Sequence, residues 1–408
     1  MEEGIVIVGG GFGGLAAAKA LDRAGVSYLL VDVRNHHLFQ PLLYQVATGF
    51  LEAPAIAYPL RPLLRKGRFL LARVEEVDLE ERRLFLEGGK ALPYHHLIVA
   101  TGSYPHDLGV LGIKEHALFL KTLEDAIKIR NRLLKALEEA AWGQKLLRFV
   151  VVGGGATGVE LSGALTEFLR NVLPRDFPEI PGAEVHLLEA GPRLLPTFRP
   201  GLSAYALKAL SGLGVRVALQ TQVARVEEGG VVLKDGTFFP ADLVLWAVGV
   251  KGNPLPGLPQ DPRGRVPTDP FLRLPDHSEV YVVGDVNGLG LPGVAPVALQ
   301  QGAWAAKNLL RALKGQAPLP FRYRDRGQLA VIGRNRAVAE VRRLAFAGLP
   351  AWLLWSLVHL RELVGFRNRL LVLLDWAYTY FFRQPGVRVL WRELPIEFSL
   401  CMGQEGGS

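Results

Sequence analysis

A glycine-rich unit that occurs twice constrains the fold of this 408-residue chain most strongly. In the first copy, an apolar run of strand length leads to Gly9, Gly11 and Gly14 in G-x-G-x-x-G spacing. An Ala- and Leu-rich helical segment follows, and then a second apolar run that ends in Asp32. Such glycines allow a tight turn, the approach of a pyrophosphate and close helix–strand packing, while the acid accepts hydrogen bonds from ribose hydroxyls. The first copy therefore predicts a dinucleotide site.

The second copy lies 144 residues further on, with Gly153, Gly155 and Gly158 at the same spacing. Its second apolar run ends in Glu189, the counterpart of Asp32. Each copy continues into a strand-rich segment and closes on one more apolar strand. Two copies of one composite unit indicate a duplication and predict an α/β fold with two Rossmann-like nucleotide-binding domains.

The single cysteine, Cys401, limits the redox chemistry that the chain's own side chains can carry out. One thiol excludes an intramolecular disulfide, a C-x-x-C redox pair and an all-cysteine iron–sulfur cluster. No apolar run reaches 18 residues, so we expect no spanning helix, and we assign no metal ligands. No signal peptide precedes the first strand, so we expect the glycine-rich domains to face the cytoplasm.

The C-terminal region contains two segments with helical, amphipathic character, residues 351–364 and residues 369–382, separated by Gly365. Each is mostly apolar and carries a narrow polar stripe: Ser356, His359 and Glu362 on the first, and Asp375, Thr379 and Arg383 on the second. Their apolar runs are too short to cross a bilayer and suit its interface. We therefore expect a C-terminal membrane-anchoring segment built from amphipathic helices.

The charged and aromatic residues of this region favour an anionic membrane surface as its partner. Residues 341–392 hold eight arginines against two acidic residues, a surplus of six in a net charge of +8. Four of the seven tryptophans lie here, at positions 352, 355, 376 and 391. This composition is typical of binding to anionic headgroups at the interface. The apolar residues between the arginines argue against nucleic acid, and a buried helical hairpin or a dimer interface is the competing interpretation.

The duplicated unit, together with the later pair Gly284 and Asp285, resembles the flavoproteins with two dinucleotide-binding domains, which are relatives of the disulfide reductases. The resemblance implies that the first unit binds FAD and that Asp285 contacts its ribityl–phosphate region. It assigns to the FAD site the residues Gly9, Gly11, Phe12, Gly14, Asp32, Arg34, Gln45, Val74, Ala100, Thr101, Gly102, Asp285, Val297 and Ala298.

The same resemblance implies that the second unit binds NADH, at Gly153, Gly155, Thr157, Gly158, Glu189, Ala247 and Gly249. Glu189 decides between the two nicotinamide cofactors, because a carboxylate accepts hydrogen bonds from a ribose 2′-hydroxyl and repels a 2′-phosphate. NADH is therefore favoured over NADPH. Arg193, four residues further on, opposes this preference.

Three further stretches resemble the type II (single-subunit, alternative) NADH:quinone oxidoreductases, and the likeness extends to about Trp391. They are residues 35–47 (NHHLFQPLLYQVA), residues 155–160 (GATGVE), and residues 359–360 together with 365–370. The resemblance implies non-covalent FAD, NADH, and peripheral attachment to the cytoplasmic face of the cell membrane. It also implies that two electrons pass to a membrane quinone, menaquinone or ubiquinone, without proton pumping.

This resemblance also implies an organisation of the chain. We expect an FAD-binding domain at residues 1–115 and 260–318, an NADH-binding domain at residues 116–259, and a membrane-association segment at residues 319–408. A homodimer is the expected assembly. Glu160, two residues after Gly158, is expected beside the flavin and the electron acceptor.

One departure from the family pattern concerns the acceptor. The usual Ala-Gln-x-Ala-x-Gln reads Ala-Pro-Val-Ala-Leu-Gln at residues 295–300, with Pro296 in place of the first glutamine. Hydrogen bonds to a quinone carbonyl must then come from Gln300, Gln301, Glu160 or the backbone, and the sequence specifies neither the quinone nor the proton donor. An FAD-dependent NADH oxidase that reduces oxygen, with the C-terminal helices as a dimer interface, and a slow redox-sensing protein are the alternatives.

Overall fold

Two mainly parallel β-sheets, one in each glycine-rich unit, form the framework of the computed structural model, which describes residues 4–390. The first has six strands, in the spatial order Arg273–Leu274, His277–Val282, His96–Val99, Ile5–Val8, Tyr28–Asp32 and Gly67–Leu71. The second has five, in the order Ala117–Phe119, Leu243–Trp246, Leu147–Val152, Ala183–Leu188 and Arg216–Ala218. The central strands are almost wholly apolar because both faces of each sheet are buried.

The described residues form nine α-helices and four short 3₁₀ turns. The helices are α1 Phe12–Ala24, α2 Leu43–Ala47, α3 Ile113–His116, α4 Leu123–Gly143, α5 Ala156–Asp176, α6 Pro200–Leu213, α7 Ala295–Ala312, α8 Leu349–Glu362 and α9 Phe366–Phe382. The 3₁₀ turns are Gln40–Leu42, Ala53–Ala55, Arg61–Leu63 and Gly284–Val286. Helices α1 and α7 pack with their backbones in contact, since a Cβ on Gly302 would lie 2.0 Å from the carbonyl oxygen of Gly13.

Smaller sheets repeat the duplication. One three-stranded antiparallel sheet belongs to the first unit, at Val74–Asp78, Arg83–Leu86 and Lys90–Pro93, and another to the second, at Val223–Glu227, Gly230–Leu233 and Phe238–Pro240. Two strand pairs complete the two units: Ser103–Pro105 with Val250–Gly252, and His36–Leu38 with Ala57–Pro59. The pair at 103–105 and 250–252 is antiparallel and ties the first unit to the second.

The C-terminal segment consists of an antiparallel sheet and helices α8 and α9. The strands of that sheet are Gln328–Gly333, Arg336–Val341 and Leu344–Ala347. The α8 side chains Ala351 and Trp355 are buried in the core. On α9, Asn368 donates its side-chain N–H groups to the carbonyl oxygens of Pro54 and Ala57, at 3.1 and 3.0 Å. The predicted helical pair is therefore present, and it is attached to both nucleotide-binding units.

The predicted fold class is confirmed, with one correction to the boundary of a helix. Helix α9 begins at Phe366, three residues before the predicted start, directly after Gly365. Within residues 4–390, no helix has the length and apolar content needed to span a bilayer. Trp391, Arg392 and Cys401, on which part of the sequence prediction rests, lie outside the described residues.

Candidate functional site

The first glycine-rich turn forms a cradle whose shape depends on three glycines. Gly9 has a φ of +108°, a conformation that L side chains rarely adopt. A Cβ on Gly14 would lie 1.8 Å from the carbonyl oxygen of Gly9, so only glycine allows α1 to approach the strand this closely. A Cβ on Gly11, in contrast, would meet nothing within 4 Å. The turn is therefore closed underneath and open above Gly11, as close approach of a phosphate requires.

The Asp32 side chain, at the end of the second strand, accepts hydrogen bonds from two backbone N–H groups, one of them in this turn. Its carboxylate accepts from the N–H of Gly10 at 2.5 Å and from the N–H of Arg34 at 2.7 Å. The carboxylate thus lies at the mouth of the cradle, where the motif expects the acid that binds a ribose.

The second cradle repeats this geometry. Gly153 has a φ of +109°. A Cβ on Gly158 would lie 1.8 Å from the carbonyl oxygen of Gly153. Glu189 accepts hydrogen bonds from the N–H groups of Gly154 and Gly191, at 2.5 and 2.6 Å. A Cβ on Gly155 would meet nothing within 4 Å. Both cradles therefore have the open glycine, the helix N-terminus and the acid that a dinucleotide needs.

The other predicted FAD residues surround the first cradle at different distances from its turn. Ala100 and Ala298 lie against Gly13, whose Cβ would be 3.8 and 3.6 Å from them. Asp285 accepts a 2.5 Å hydrogen bond from the Ser103 hydroxyl and lies 3.6 Å from the Lys121 ammonium group. The Thr101 hydroxyl donates a hydrogen bond to the Asn253 carbonyl oxygen, and Arg34 forms an ion pair with Glu124. Val74 is buried in the same hydrophobic core as Val8, and the Phe12 ring lies edge-on to His37.

The remaining predicted NADH residues lie around the second cradle. The Ala247 carbonyl oxygen would be 3.0 Å from a Cβ on Gly153, and the Ala247 Cβ would be 3.5 Å from a Cβ on Gly158. Gly249 has a φ of +73°. Thr157 is exposed on the first turn of α5. Arg193 donates to the Pro196 carbonyl at 2.7 Å, so its guanidinium group has a partner outside the cradle.

A cavity of about 650 Å³ lies between the nucleotide-binding units and the C-terminal helices. Its walls come from α2, α5, the hairpin turn at residues 333–336, α8 and α9. One side of the cavity is formed where α5 packs against the hairpin. The two backbones are in close contact there, since a Cβ on Gly163 would lie 1.8 Å from the carbonyl oxygen of Ile332. The side chains that line it are mostly aromatic or charged: Tyr44, Phe50, Glu160, Glu167, Arg170, Arg334, Arg336, Trp352, Trp355, Trp376, Tyr380 and Arg383.

Glu160 projects into this cavity from the N-terminal part of α5, as the fifth residue of the helix. Its Oε1 accepts a hydrogen bond from the N–H of Val331 at 3.2 Å. Burial raises the pKa of Glu160 to about 8, although the Val331 N–H and the Trp355 indole N–H both favour the ionised form. The carboxyl group therefore holds a proton at neutral pH, which matches a group placed to exchange a proton with a ligand in the cavity.

Glu167 lies two helical turns further along α5 and lines the same cavity. Its Oε1 accepts a 2.6 Å hydrogen bond from the N–H of Arg334. Burial raises the pKa of Glu167, and the charges of Arg336, Arg334 and Arg170 oppose that shift. The cavity thus carries one carboxyl group close to the second cradle and another among arginines.

Half of the residues in the two predicted polar stripes line the cavity: Ser356 of α8, Thr379 of α9, and Arg383 directly after α9. The other members, His359, Glu362 and Asp375, do not line it. Ten large apolar side chains of the two helices are exposed: Leu349, Leu353, Leu357, Phe366, Leu370, Leu373, Leu374, Tyr378, Phe381 and Phe382. Four charged residues, Arg361, Glu362, Arg367 and Arg369, are exposed on these helices as well. Phe366 is 81% exposed and Phe381 is 75% exposed. The pair therefore presents an outer surface that is mostly apolar and also carries charged groups, as a helix lying in a membrane interface does.

The structure gives three predicted glutamines partners within the protein. Gln300 pairs with the backbone of Arg324, through two hydrogen bonds of 3.0 Å. Gln301 is fully buried, accepts from the N–H of Gly284 at 2.7 Å and donates to Asn287 at 3.1 Å. Neither lines the cavity, so Glu160 is the member of the predicted acceptor trio that does. Gln45, predicted at the FAD site, lines the cavity and bonds to Tyr44 and Trp376.

Sequence reasoning missed several of the cavity residues. Trp355 stacks on His359 with ring centroids 4.2 Å apart, and Trp376 lies 5.6 Å from Trp355. Arg334 lies over the ring of Tyr380 at 4.0 Å. The clustering of tryptophans near the C-terminus was visible in the sequence, but it indicated a membrane interface. No pattern in the sequence marked the turn that carries Arg334.

Two family models together match most of the chain. The model described as pyridine nucleotide-disulphide oxidoreductase matches residues 3–302. The model described as NDH2 C-terminal domain matches residues 326–384, the segment that contains the hairpin, α8 and α9. The two models thus divide the chain between the nucleotide-binding units and the segment that closes the cavity.

Known proteins resemble the chain over nearly its whole length. The type II NADH:quinone oxidoreductase Ndh of Mycobacterium tuberculosis is 38% identical, covering 94% of this chain and 89% of that protein. The mitochondrial internal alternative NAD(P)H-ubiquinone oxidoreductase A1 of Solanum tuberosum is 31% identical, covering 94% and 88%. Among solved structures, NDH2 of Plasmodium falciparum in complex with NADH superposes with a TM-score of 0.88 at 20% identity, covering 96% of this chain and 100% of that one, which shows a shared fold.

Proposed function

We propose a route for electrons through this chain, which belongs to the type II NADH:quinone oxidoreductase family. The protein is an enzyme that takes electrons from NADH and delivers them to a quinone. In our proposal the first cradle binds FAD, the second binds NADH, and the quinone enters the 650 Å³ cavity. The single observation that carries this proposal is the position of Glu160, which follows the second cradle directly and projects into the cavity.

The first cradle has groups suited to the pyrophosphate, the ribose and the ribityl chain of FAD. Gly11 leaves room for a pyrophosphate, the N-terminus of α1 favours its charge, and Asp32 can accept from ribose hydroxyls. Asp285, held by Ser103, is available for the ribityl chain. When bound, FAD supplies a carrier that accepts two electrons from NADH and passes them to the quinone.

The second cradle favours NADH over NADPH. The Glu189 carboxylate, held by two backbone N–H groups, is positioned to accept hydrogen bonds from the 2′-hydroxyl of the adenosine ribose. The same negative charge would repel a 2′-phosphate. The Arg193 guanidinium group, which could offset that repulsion, donates to the Pro196 carbonyl instead.

Glu160 is the residue that we assign to proton transfer. The overall reaction, NADH + H⁺ + quinone → NAD⁺ + quinol, needs one proton beyond the hydride. The raised pKa of Glu160, about 8, keeps its carboxyl group protonated at neutral pH. It can therefore donate that proton to a quinone oxygen in the cavity and take up another from solvent between turnovers.

The apolar outer surface of α8 and α9 supports peripheral attachment to a membrane. Its exposed side chains would lie among lipid headgroups and acyl chains, with the cavity immediately beneath them. A quinone could then enter from the lipid without crossing water. We propose that the protein is a homodimer attached at the cytoplasmic face, and that the arginine surplus of the C-terminal region binds an anionic membrane surface. As the resemblance implies, we also propose that it pumps no protons.

The test is NADH oxidation by the purified protein with and without a short-chain menaquinone or ubiquinone analogue, with peroxide measured in parallel. Quinone-dependent oxidation with little peroxide is expected. Oxidation at full rate without quinone, with one peroxide per NADH, would identify an oxygen-reducing oxidase and refute the proposal. Replacing NADH by NADPH should lower kcat/KM at least about tenfold if Glu189 acts as described.

A further inference from the structure

His37 has no task in the function proposed above, yet it lies directly against the turn of the first cradle. It is 2% exposed, and its Nδ1 lies 3.0 Å from the carbonyl oxygen of Gly10. Because a carbonyl oxygen only accepts, Nδ1 carries the proton and donates it. Burial lowers the pKa of His37 to about 4, which keeps the ring neutral at neutral pH. The Phe12 ring, edge-on at 5.1 Å between centroids, packs against the imidazole.

Gly10 is thereby held at both its N–H and its carbonyl group. The N–H donates to Asp32, and the carbonyl accepts from His37. Since the carbonyl and the next N–H of a trans peptide point in opposite directions, the Gly11 N–H points away from His37. Within residues 4–390 it has no backbone or side-chain acceptor, and the space above Gly11 is open. That N–H is available to an incoming phosphate oxygen.

The second unit supplies an internal comparison. Gly154, the counterpart of Gly10, donates its N–H to Glu189 just as Gly10 does to Asp32. Its carbonyl oxygen also has a donor, but that donor is the backbone N–H of Leu195, at 2.8 Å. Both cradles therefore hold the same peptide in the same way, and the first uses a side chain where the second uses the backbone.

We propose that His37 is a positioning residue for the first cradle, because its hydrogen bond to Gly10 orients the Gly11 N–H toward the pyrophosphate of FAD. This inference rests on the proposed assignment of FAD to the first unit. It places His37 away from the reacting atoms, so its loss should weaken the hold on FAD and leave the second cradle unchanged.

The experiment compares four variants of the purified holoenzyme. His37→Phe and His37→Leu remove the donor, and the first keeps a ring against Phe12. His37→Asn keeps a donor, since its amide nitrogen is as many bonds from the backbone as Nδ1. His36→Phe makes the matched change at the neighbouring histidine, whose Nδ1 contacts the Asn35 side chain. The readouts are the rate of FAD release after dilution, from flavin fluorescence, and ADP-ribose binding by calorimetry, which reports on the second cradle.

His37→Phe and His37→Leu should release FAD about tenfold faster than the wild type, or more, as expected for an unsatisfied buried acceptor. The rate of FAD release from His37→Asn should lie between the rates of these two variants and that of the wild type. His36→Phe should release FAD at the wild-type rate. The affinity for ADP-ribose should change less than twofold in every variant. FAD release within twofold of wild type in His37→Phe would overturn the inference. So would equal effects of His36→Phe, or a parallel loss of ADP-ribose binding.

Different results would refute the proposed function and the role of His37. A wild-type protein that binds no FAD would refute the proposed function. A wild type that retains FAD, with donor-lacking variants that retain it equally well, would refute only the role of His37. If neither donor-lacking variant folds, His37→Asn decides: FAD retention near wild type supports the inference, and release at least tenfold faster overturns it.

Discussion

The Trp376 indole Nε1 donates a 2.7 Å hydrogen bond to the side-chain carbonyl oxygen of Gln45, 331 positions earlier in the chain. Gln45 in turn donates to the Tyr44 hydroxyl at 2.8 Å. These contacts connect α9, at the outer surface, to α2 in the first nucleotide-binding unit, and all three residues line the cavity. The cavity wall therefore depends on contact between the two parts of the chain that the family models describe separately.

Replacement of Trp376 by Phe should impair quinone reduction selectively. The variant leaves the Gln45 carbonyl without its donor, a loss of about 1 kcal/mol or more for a buried polar group. We expect the KM for quinone to rise about fivefold, with flavin reduction by NADH unchanged. Tyr378→Phe is the matched control, because that exposed ring lies on the same helix outside the cavity. An equal rise of KM in the control would show that the effect is not specific to the cavity.

Replacement of Glu160 by Gln should remove the pH dependence of quinone reduction. Because the pKa of Glu160 is raised to about 8, its carboxyl group can donate a proton below that pH and cannot above it. The wild-type rate should therefore fall as the pH rises through about 8. The variant should be slower by about 100-fold at neutral pH and flat across this range, while the exposed control Glu179→Gln keeps the wild-type profile.

Stability gives a second readout of the same carboxyl group. A carboxyl whose pKa is higher in the folded than in the unfolded protein makes the free energy of unfolding decrease with pH between the two values. The wild type should thus lose stability as the pH rises from the usual Glu range toward about 8. Glu160→Gln should lose less over the same interval. Parallel melting curves for the two proteins would contradict the raised pKa.

Two glycine substitutions should separate the two cofactors. In Gly14→Ala the new methyl group meets the Gly9 carbonyl, and in Gly158→Ala it meets that of Gly153, each at 1.8 Å. Gly14→Ala should therefore be purified without FAD. Gly158→Ala should retain FAD and show a KM for NADH raised at least about tenfold. Gly201→Ala, whose Cβ meets nothing within 4 Å, is the control. Loss of FAD from Gly158→Ala with retention in Gly14→Ala would reverse the assignment.

Membrane binding should depend on the exposed apolar side chains rather than on the whole C-terminal segment. A truncation near Leu349 would be a poor test, because it would remove Ala351 and Trp355 from the core. Instead, changing Leu357, Phe366 and Phe381 to Gln should weaken flotation with anionic liposomes by at least about 100-fold, given about 1.5–3 kcal/mol for each fully buried apolar side chain.

The control for that experiment is Trp142→Gln, because Trp142 is 95% exposed at the end of α4. It should float like the wild type, and NADH oxidation with a water-soluble acceptor should be unchanged in both variants. Unchanged flotation of the triple variant would refute attachment through this surface.

The two cradles could be predicted from the sequence because their determinants are local. Gly9, Gly14 and Asp32 lie within 24 residues of one another, and their spacing alone specifies the turn and the acid. The position of Glu160 followed from its place two residues after Gly158. Its protonation did not, because the raised pKa depends on burial by the hairpin and by α8, which are distant in sequence.

The helical periodicity of the sequence could not predict which residues contact Gln300 and Gln301. Gln300 and Gln301 are adjacent on α7, so helical spacing turns them to different sides without saying what covers each side. One meets the backbone of Arg324, and the other meets Gly284. The charged end of the cavity could not be predicted from the sequence either, because the contact between Arg334 and Glu167 joins residues 167 positions apart.

Electron transfer from NADH to a quinone is tested most directly by an anaerobic two-step experiment on the wild-type protein. NADH is first added until the flavin absorbance is bleached, and a quinone analogue is then mixed in without oxygen. We expect the absorbance to return within one turnover, with one quinol formed per NADH consumed. Absorbance that stays bleached with quinone and returns only when oxygen is admitted would contradict electron transfer to a quinone in this cavity.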